Sequence, residues 1–300
     1  MPTFDTPQPI TATIYVAVGD VRISAGDHSA TAVDVRPSDA SNDEDIKAAE
    51  LTRVWYANEQ LVVKAPKPRS WLSRSSGSVD VTIELPGGSH VQAAGQLTDF
   101  RCDGRLGDCQ IKTGLGHIRL DHADTLSLKG GVGDISVQRA TGHAELTAGS
   151  GDVRLRELDS SAVIKNSNGD TSVGVARGDI RLNAANGSIA IDVAHASVVA
   201  KSANGDVRLG EVVRGSVVLE TQLGDLEVGI REGTAAWLDV RAAAGKVHNA
   251  LDAAAAPEPS AETVEVRART AVGEIAIRRP RGAIDEQPTP KQNPSAASDR

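Results

Sequence analysis

Apolar and polar residues alternate with period two along most of the chain, and the alternation is cut into short phrases of fixed length. Each phrase opens on glycine, continues with a small or acidic residue, and closes on apolar–any–apolar. The clearest copies are Gly133-Asp134-Ile135-Ser136-Val137, Gly151-Asp152-Val153-Arg154-Leu155, Gly169-Asp170-Thr171-Ser172-Val173, Gly187-Ser188-Ile189-Ala190-Ile191 and Gly205-Asp206-Val207-Arg208-Leu209. Their lead glycines recur at one constant interval. A weaker copy lies halfway between, as in Gly142-His143-Ala144-Glu145-Leu146, Gly178-Asp179-Ile180-Arg181-Leu182 and Ala196-Ser197-Val198-Val199-Ala200. Period two marks a strand with one buried face. A fixed repeat of about 20 residues marks a solenoid.

Half a repeat holds about five strand residues and a turn of about four. Two halves make one coil with two strands facing each other. Stacked coils then give two parallel sheets around a thin apolar slot, with strands about 4.8 Å apart. The dipeptides Asn168-Gly169, Asn186-Gly187 and Asn204-Gly205 recur at one phase. Asn-Gly supplies positive φ cheaply, so these are corners. Asn-Gly is also the signal for an antiparallel hairpin, which makes a sandwich or barrel the alternative. Hairpins need no common phase, so the constant interval favours coils. The expected fold is all-β: a parallel, two-sheeted β-solenoid (a β-helix) of about 18 residues per coil, with one short helix near the start.

The chain reads as a single solenoid over residues 1–280. Residues 10–100 form irregular coils: a strand pair over 10–36, a helix near 42–52, and two strands around Asn58-Glu59. Ser41 or Asn42 caps the helix, Asp43, Glu44 and Asp45 fill its first turn, and Ile46, Ala49 and Leu51 supply its apolar stripe. It is expected to cover the open end of the core, because a stacked sheet needs a cap. Residues 66–77 read as a polar, partly basic loop. Residues 101–250 are the regular coils. Residues 251–280 form a C-terminal coil with a loop insertion at 253–263. The Pro-rich stretch 281–300 is expected to be disordered.

Composition agrees with a narrow interior. Aromatic residues are 2% of a chain that is 40% hydrophobic, whereas a broad globular core relies on them. A net charge of −8 argues against nucleic acid and against an anionic membrane surface. No run of 18 apolar residues occurs, so no membrane span is expected. The opening MPTFDTPQPI lacks the features of a secretory signal. Cys102 and Cys109 are too few for a structural zinc set and read as reduced core or turn residues. The chain is therefore read as cytoplasmic.

Three columns could carry chemistry. Asp134, Asp152, Asp170 and Asp206 share one phase, with Ser188 interrupting and Asp225 one residue late. Stacked carboxylates could hold calcium, which takes several oxygen ligands. Calcium solenoids, however, repeat G-G-x-G-x-D, and here Asp134 follows Gly133 directly. The expectation is that these carboxylates accept backbone hydrogen bonds in the turn. Asn168, Asn186 and Asn204 read as a side-chain ladder. Arg119, Arg154, Arg181 and Arg208 read as a solvated face, or as a stripe for an acidic partner. The seven histidines are scattered, His117 and His122 included. No G-x-S-x-G, Walker loop or H-E-x-x-H occurs.

The NGD-type phrases, the segment AHASVVAKSANGDVRLGEVVRGSVVLETQLGDLEVGIREGTAAWLDV and the opening FDTPQPITATIYVAVGDVRI resemble the bacterial DUF4097 β-strand repeat proteins, a family named for adhesins. More narrowly they resemble its soluble actinobacterial members. The resemblance covers residues 3–280. It implies a β-solenoid and no catalytic residue set.

The functional expectation is a non-enzymatic scaffold that binds a protein partner, with no cofactor, no metal and no catalytic residue. Gly133, Gly151, Gly169, Gly187 and Gly205, with Asn168, Asn186 and Asn204, are read as structural turns. One alternative is a carbohydrate-active or carbohydrate-binding solenoid, which needs convergent carboxylates in a groove, for instance beside Trp71. The other is a calcium-binding, adhesin-like repeat on Asp134, Asp152, Asp170 and Asp206.

Overall fold

The computed structural model describes residues 1–66, 77–251 and 262–280. The polar loop expected at 66–77, the insertion at 253–263, the tail at 281–300 and Trp71 fall wholly or mainly outside the described residues. What is described is a β-solenoid. The middle coils pair in parallel at a constant offset: Val153 with Ile135 and Thr171, Thr171 with Ile189, Ile189 with Val207. Each coil contributes one strand to each face. One face carries Ala144–Ser150, Ala162–Asn168, Ile180–Asn186 and Val198–Asn204. The other carries Ile135–Ala140, Val153–Leu158, Thr171–Ala176, Ile189–Ala194 and Val207–Val212. The faces are not separate sheets. Strands His90–Leu115 and Ile118–Val132 bend round the corners, so the 23 strands of the described residues join in one wrapped sheet.

Alternation along each strand sends one side chain in and the next out. Ile118, Ile135, Val153, Thr171, Ile189, Val207, Leu226 and Ile275 stack in a single inward column, every one buried. Burying an aliphatic side chain of this size stabilises by about 1.5–3 kcal/mol, and the gain recurs with each coil. Phe100 is the one fully buried aromatic among the described residues, consistent with a slot too narrow for rings.

The corners need glycine for two reasons. Gly205 has φ +144°, and a Cβ there would lie 2.2 Å from the Gly187 carbonyl oxygen of the neighbouring coil. Gly133, Gly151, Gly169 and Gly187 share the conformation and the crowding. Small inward polar residues tie these corners together. Asn166 Nδ2 donates to the Gly151 carbonyl at 3.1 Å, Thr221 Oγ1 to that of Gly205 at 3.0 Å, and Thr270 Oγ1 to that of Gly224 at 2.9 Å.

Order in space departs from order in sequence at both ends. Thr11–Gly26 lies between Gln60–Lys64 with Val79–Pro86 on one side and His90–Leu115 on the other. Thr263–Val272 and Ile275–Arg278 lie between Gly215–Leu223 with Leu226–Ile230 on one side and Ala235–Ala244 with Val247–Asn249 on the other. The coil that comes last in sequence is thus one coil in from the end.

At the N-terminal end the parallel pattern stops. Arg53–Ala57 pairs antiparallel with Gln60–Lys64 through a turn in which Asn58 and Glu59 both have positive φ. Ala30–Pro37 pairs antiparallel with Val79–Pro86, and Thr3–Asp5 with Ala30–Pro37. The Phe4 and Tyr56 rings meet at 5.4 Å between these two edges. The helix Asp43–Leu51 is capped by Asn42, whose side chain accepts from the Glu44 N–H. Its packed face differs from the expected stripe. Asp45 and Ala48 are buried, Ile46 and Ala49 are half-buried, and Leu51 is exposed. Asp45 turns inward because its carboxylate accepts the backbone N–H of Ser78 at 2.8 Å and of Asp39 at 3.1 Å. The helix packs on Ala30–Pro37 and Val79–Pro86, and Ala49 reaches the end of the core.

Candidate functional site

The aspartates of the repeat form one corner ladder. Oδ1 of Asp134 accepts the Asp152 N–H at 2.9 Å, Asp152 accepts from Asp170 at 3.0 Å, and Asp170 accepts from Ser188 at 2.8 Å. Asp206 accepts from Asp225 at 2.8 Å, and Asp225 from Glu274 at 2.7 Å. The bonds therefore run between coils and not within each turn. Asp225, one residue late in sequence, falls into the column because its coil is one residue longer: Val207 pairs with Leu226. Two histidines belong to the same scheme. His117 Nδ1 accepts from the Asp134 N–H at 3.0 Å, while the His117 N–H donates to Asp99 at 2.7 Å. His90 Nδ1 accepts from the Asp108 N–H at 2.9 Å.

Each corner carboxylate thus spends one oxygen on the next coil. Arg154 takes remaining oxygens, at 2.6 Å from Asp152 and 3.8 Å from Asp134. Among the described residues no group of three or more His, Cys, Asp or Glu side chains could hold a metal ion. The asparagines stack beside this column. Asn186 Nδ2 donates to Asn168 Oδ1 and Asn204 Nδ2 to Asn186 Oδ1, both at 2.9 Å.

A run of arginines that sequence spacing does not reveal lies near the N-terminal end. Strand pairing sets Arg22 beside Arg101 and Arg101 beside Arg119. Farther along, the same row continues through Ser136, Arg154, Ser172, Ala190 and Arg208. Arg22 and Arg101 lie several coil lengths apart in the chain, so no repeat period links them. Only the inserted position of Thr11–Gly26 brings them together. The three guanidiniums, with Asp20, Asp99, Asp103 and His117, line a cleft of about 570 Å³. Asp103 holds Arg101 by two contacts, at 3.0 and 3.1 Å. No carboxylate of the described residues lies within ion-pair distance of Arg22 or Arg119.

The wall of this cleft carries one carboxyl with a raised pKa, that of Asp20. Burial pushes the Asp20 pKa above the usual carboxylate range, and the neighbouring charges of Asp80 and Asp99 push it further, while Arg22 partly offsets them. Asp80 and Asp99 flank Asp20 in register on adjacent strands. The carboxylates follow the corner, and the arginines form the adjoining outward row.

The Toastrack DUF4097 family model matches residues 11–285. The chain belongs to this family. No curated protein matches this Toastrack chain. Three solved structures align with most of it. They are a protein named for cell adhesion from Clostridium sporogenes ATCC 15579 and adhesin-named proteins from Bacteroides fragilis NCTC 9343 and Parabacteroides merdae ATCC 43184. Their identities to the Toastrack chain are 11%, 12% and 10%, with TM-scores of 0.25, 0.32 and 0.33. The alignments cover 92%, 92% and 93% of this chain and 94%, 95% and 94% of the three others.

Proposed function

We infer that the chain is a non-enzymatic interaction scaffold, and that the arginine row receives an acidic segment of a protein partner. The observation behind this reading is the placement of Arg22, Arg101 and Arg119 on three neighbouring strands, with no carboxylate of the described residues within ion-pair distance of Arg22 or Arg119. A row of planar donors at strand spacing suits a succession of carboxylates, since guanidinium binds carboxylate through paired hydrogen bonds. Cys102 and Cys109 are both buried. No helix among the described residues is long and apolar enough to cross a membrane.

The test is affinity capture from the native cell, comparing wild type with Arg22→Ala/Arg119→Ala. A protein partner held by wild type, lost in the variant and weakened by salt is expected, because exposed charge pairs are screened. Retention of the same partner by the variant excludes the arginine row. Turnover of a glycan, abolished by Asp20→Asn or Asp99→Asn, overturns the scaffold reading in favour of a carbohydrate-active one.

A further inference from the structure

The C-terminal end of the described solenoid carries a strand edge with no partner among the described residues. Ala235–Ala244 pairs only with Thr263–Val272, and among the described residues no strand lies beyond it. Its inward residues Ala236, Leu238, Val240 and Ala242 pack on the core yet stay half-buried. On its outward side Trp237 is 58% exposed. Edge strands are normally blunted by a proline, charged side chains, a bulge, an inward charge, extreme shortness or a covering loop. This one is ten residues long, has no proline, bulge or inward charge, and carries two outward charges, Asp239 and Arg241, which lie 3.4 Å apart, with Arg269 at 3.5 Å from Asp239.

The spacing of those two charges selects an occupant. We propose that the edge pairs antiparallel with the same edge of a second copy, about a two-fold axis through Val240. Opposed residues of an antiparallel pair point to the same side of the sheet. Inward residues therefore meet inward residues only when the two numbers add to an even sum. In the register centred on Val240, Asp239 faces Arg241 of the second copy, and Arg241 faces its Asp239. Leu238 faces Ala242, Ala236 faces Ala244, and Val240 faces Val240, all on the core side. Trp237 lies over Ala243. A shift centred on Asp239 sets two aspartates opposite each other, and one centred on Arg241 sets two arginines opposite. Among these three registers, all of which continue the core through both molecules, only the one centred on Val240 matches opposite charges.

The symmetry is closed. Such an isologous contact ends at two copies, whereas a head-to-tail contact would propagate into a fibre. The N-terminal end, finished by antiparallel strands, the helix and the Phe4–Tyr56 pair, offers no equivalent parallel edge to continue into.

Two measurements on the full chain test this. Light scattering across a concentration series should give twice the chain mass for wild type, a single-chain mass for Arg241→Asp, and twice the mass again for Asp239→Arg/Arg241→Asp. Separately, Val240→Cys should give a disulfide-linked dimer under mild oxidation, because only the register centred on this position places the two introduced thiols opposite each other. A single-chain mass for wild type overturns the proposal. A dimer that survives Arg241→Asp, a charge exchange that fails to restore it, or the absence of cross-linking at position 240 overturns it as well.

Discussion

At its N-terminal end the core stops under a hairpin, a helix and an aromatic pair; at its C-terminal end it stops at a ten-residue strand with no described neighbour beyond it. The coils between the two ends are nearly equivalent. A parallel array has no internal reason to stop, because every coil presents the edge that the next one needs. The N-terminal end changes strand direction, with Arg53–Ala57 and Ala30–Pro37 running antiparallel to their neighbours, and so breaks the parallel repeat. The C-terminal end keeps its direction and remains competent to pair. Termination in this fold is therefore a separate device added to the repeat.

The largest expected effect sets the scale against which both ends are judged. Gly205→Val in the middle forces a side chain into positive φ and against a neighbouring carbonyl. It should cost about 3 kcal/mol and lower the melting temperature clearly. An unchanged melting curve would show that the corner tolerates a side chain.

Next come the two ends. Tyr56→Ala removes a ring that closes the core against Phe4 and should cost about 2 kcal/mol. Leu238→Ala, half-buried at the C-terminal edge, should cost about 1 kcal/mol in dilute protein. Denaturant titration measures both. Equal costs would remove the distinction between a sealed end and an unsealed one.

A smaller effect follows from pH, with opposite signs at two carboxyls. Hydrogen bonding to Arg139, and then to Arg177, holds the Asp159 pKa below the usual carboxylate range. Its stabilisation is present above the usual value and is lost as pH falls through the lowered one. Asp20 is raised, so the fold loses stability as pH rises from the usual value through the raised one. Asp159→Asn should therefore lower the neutral-pH melting temperature and Asp20→Asn should raise it, with both differences shrinking in acid. A stabilising Asp159→Asn or a destabilising Asp20→Asn at neutral pH would reverse these assignments.

The smallest expected effect is none. Each corner aspartate gives an oxygen to the next coil, so calcium should not shift the melting curve. Melting with chelator and with millimolar calcium, on wild type and on Asp152→Asn/Asp170→Asn, measures this. A rise of many degrees in wild type, lost in the double variant, would restore the metal-binding reading, because a ligand of the folded state stabilises it by mass action.

The regular coils are legible in the sequence because their strand partners lie one repeat apart and their glycines keep one phase. The helix and the Asn58-Glu59 turn are legible from local chemistry. The helix face is not, since Asp45 is buried for backbone hydrogens that arrive from Ser78 and Asp39. Asp225 looks out of phase because the sequence shows a one-residue insertion without showing that the coil absorbs it. The arginine row is hidden for a different reason. Arg22 meets Arg101 only through strand insertion, and no periodicity records a partner so distant in the chain.

That insertion also fixes a timetable for synthesis. Ala235–Asn249 emerges from the ribosome before Thr263–Arg278, yet its strands pair with those later residues. The segment waits for those later residues before its strands can pair. At the other end Thr11–Gly26 waits for Gln60 onward. Thr11–Gly26 and Thr263–Arg278 are therefore keystones, dropped between neighbours on both sides, and a chain cut after Ala250 should leave Ala235–Asn249 open to protease while the middle coils resist. Resistance of that segment in the shortened chain would show that it docks without its keystone.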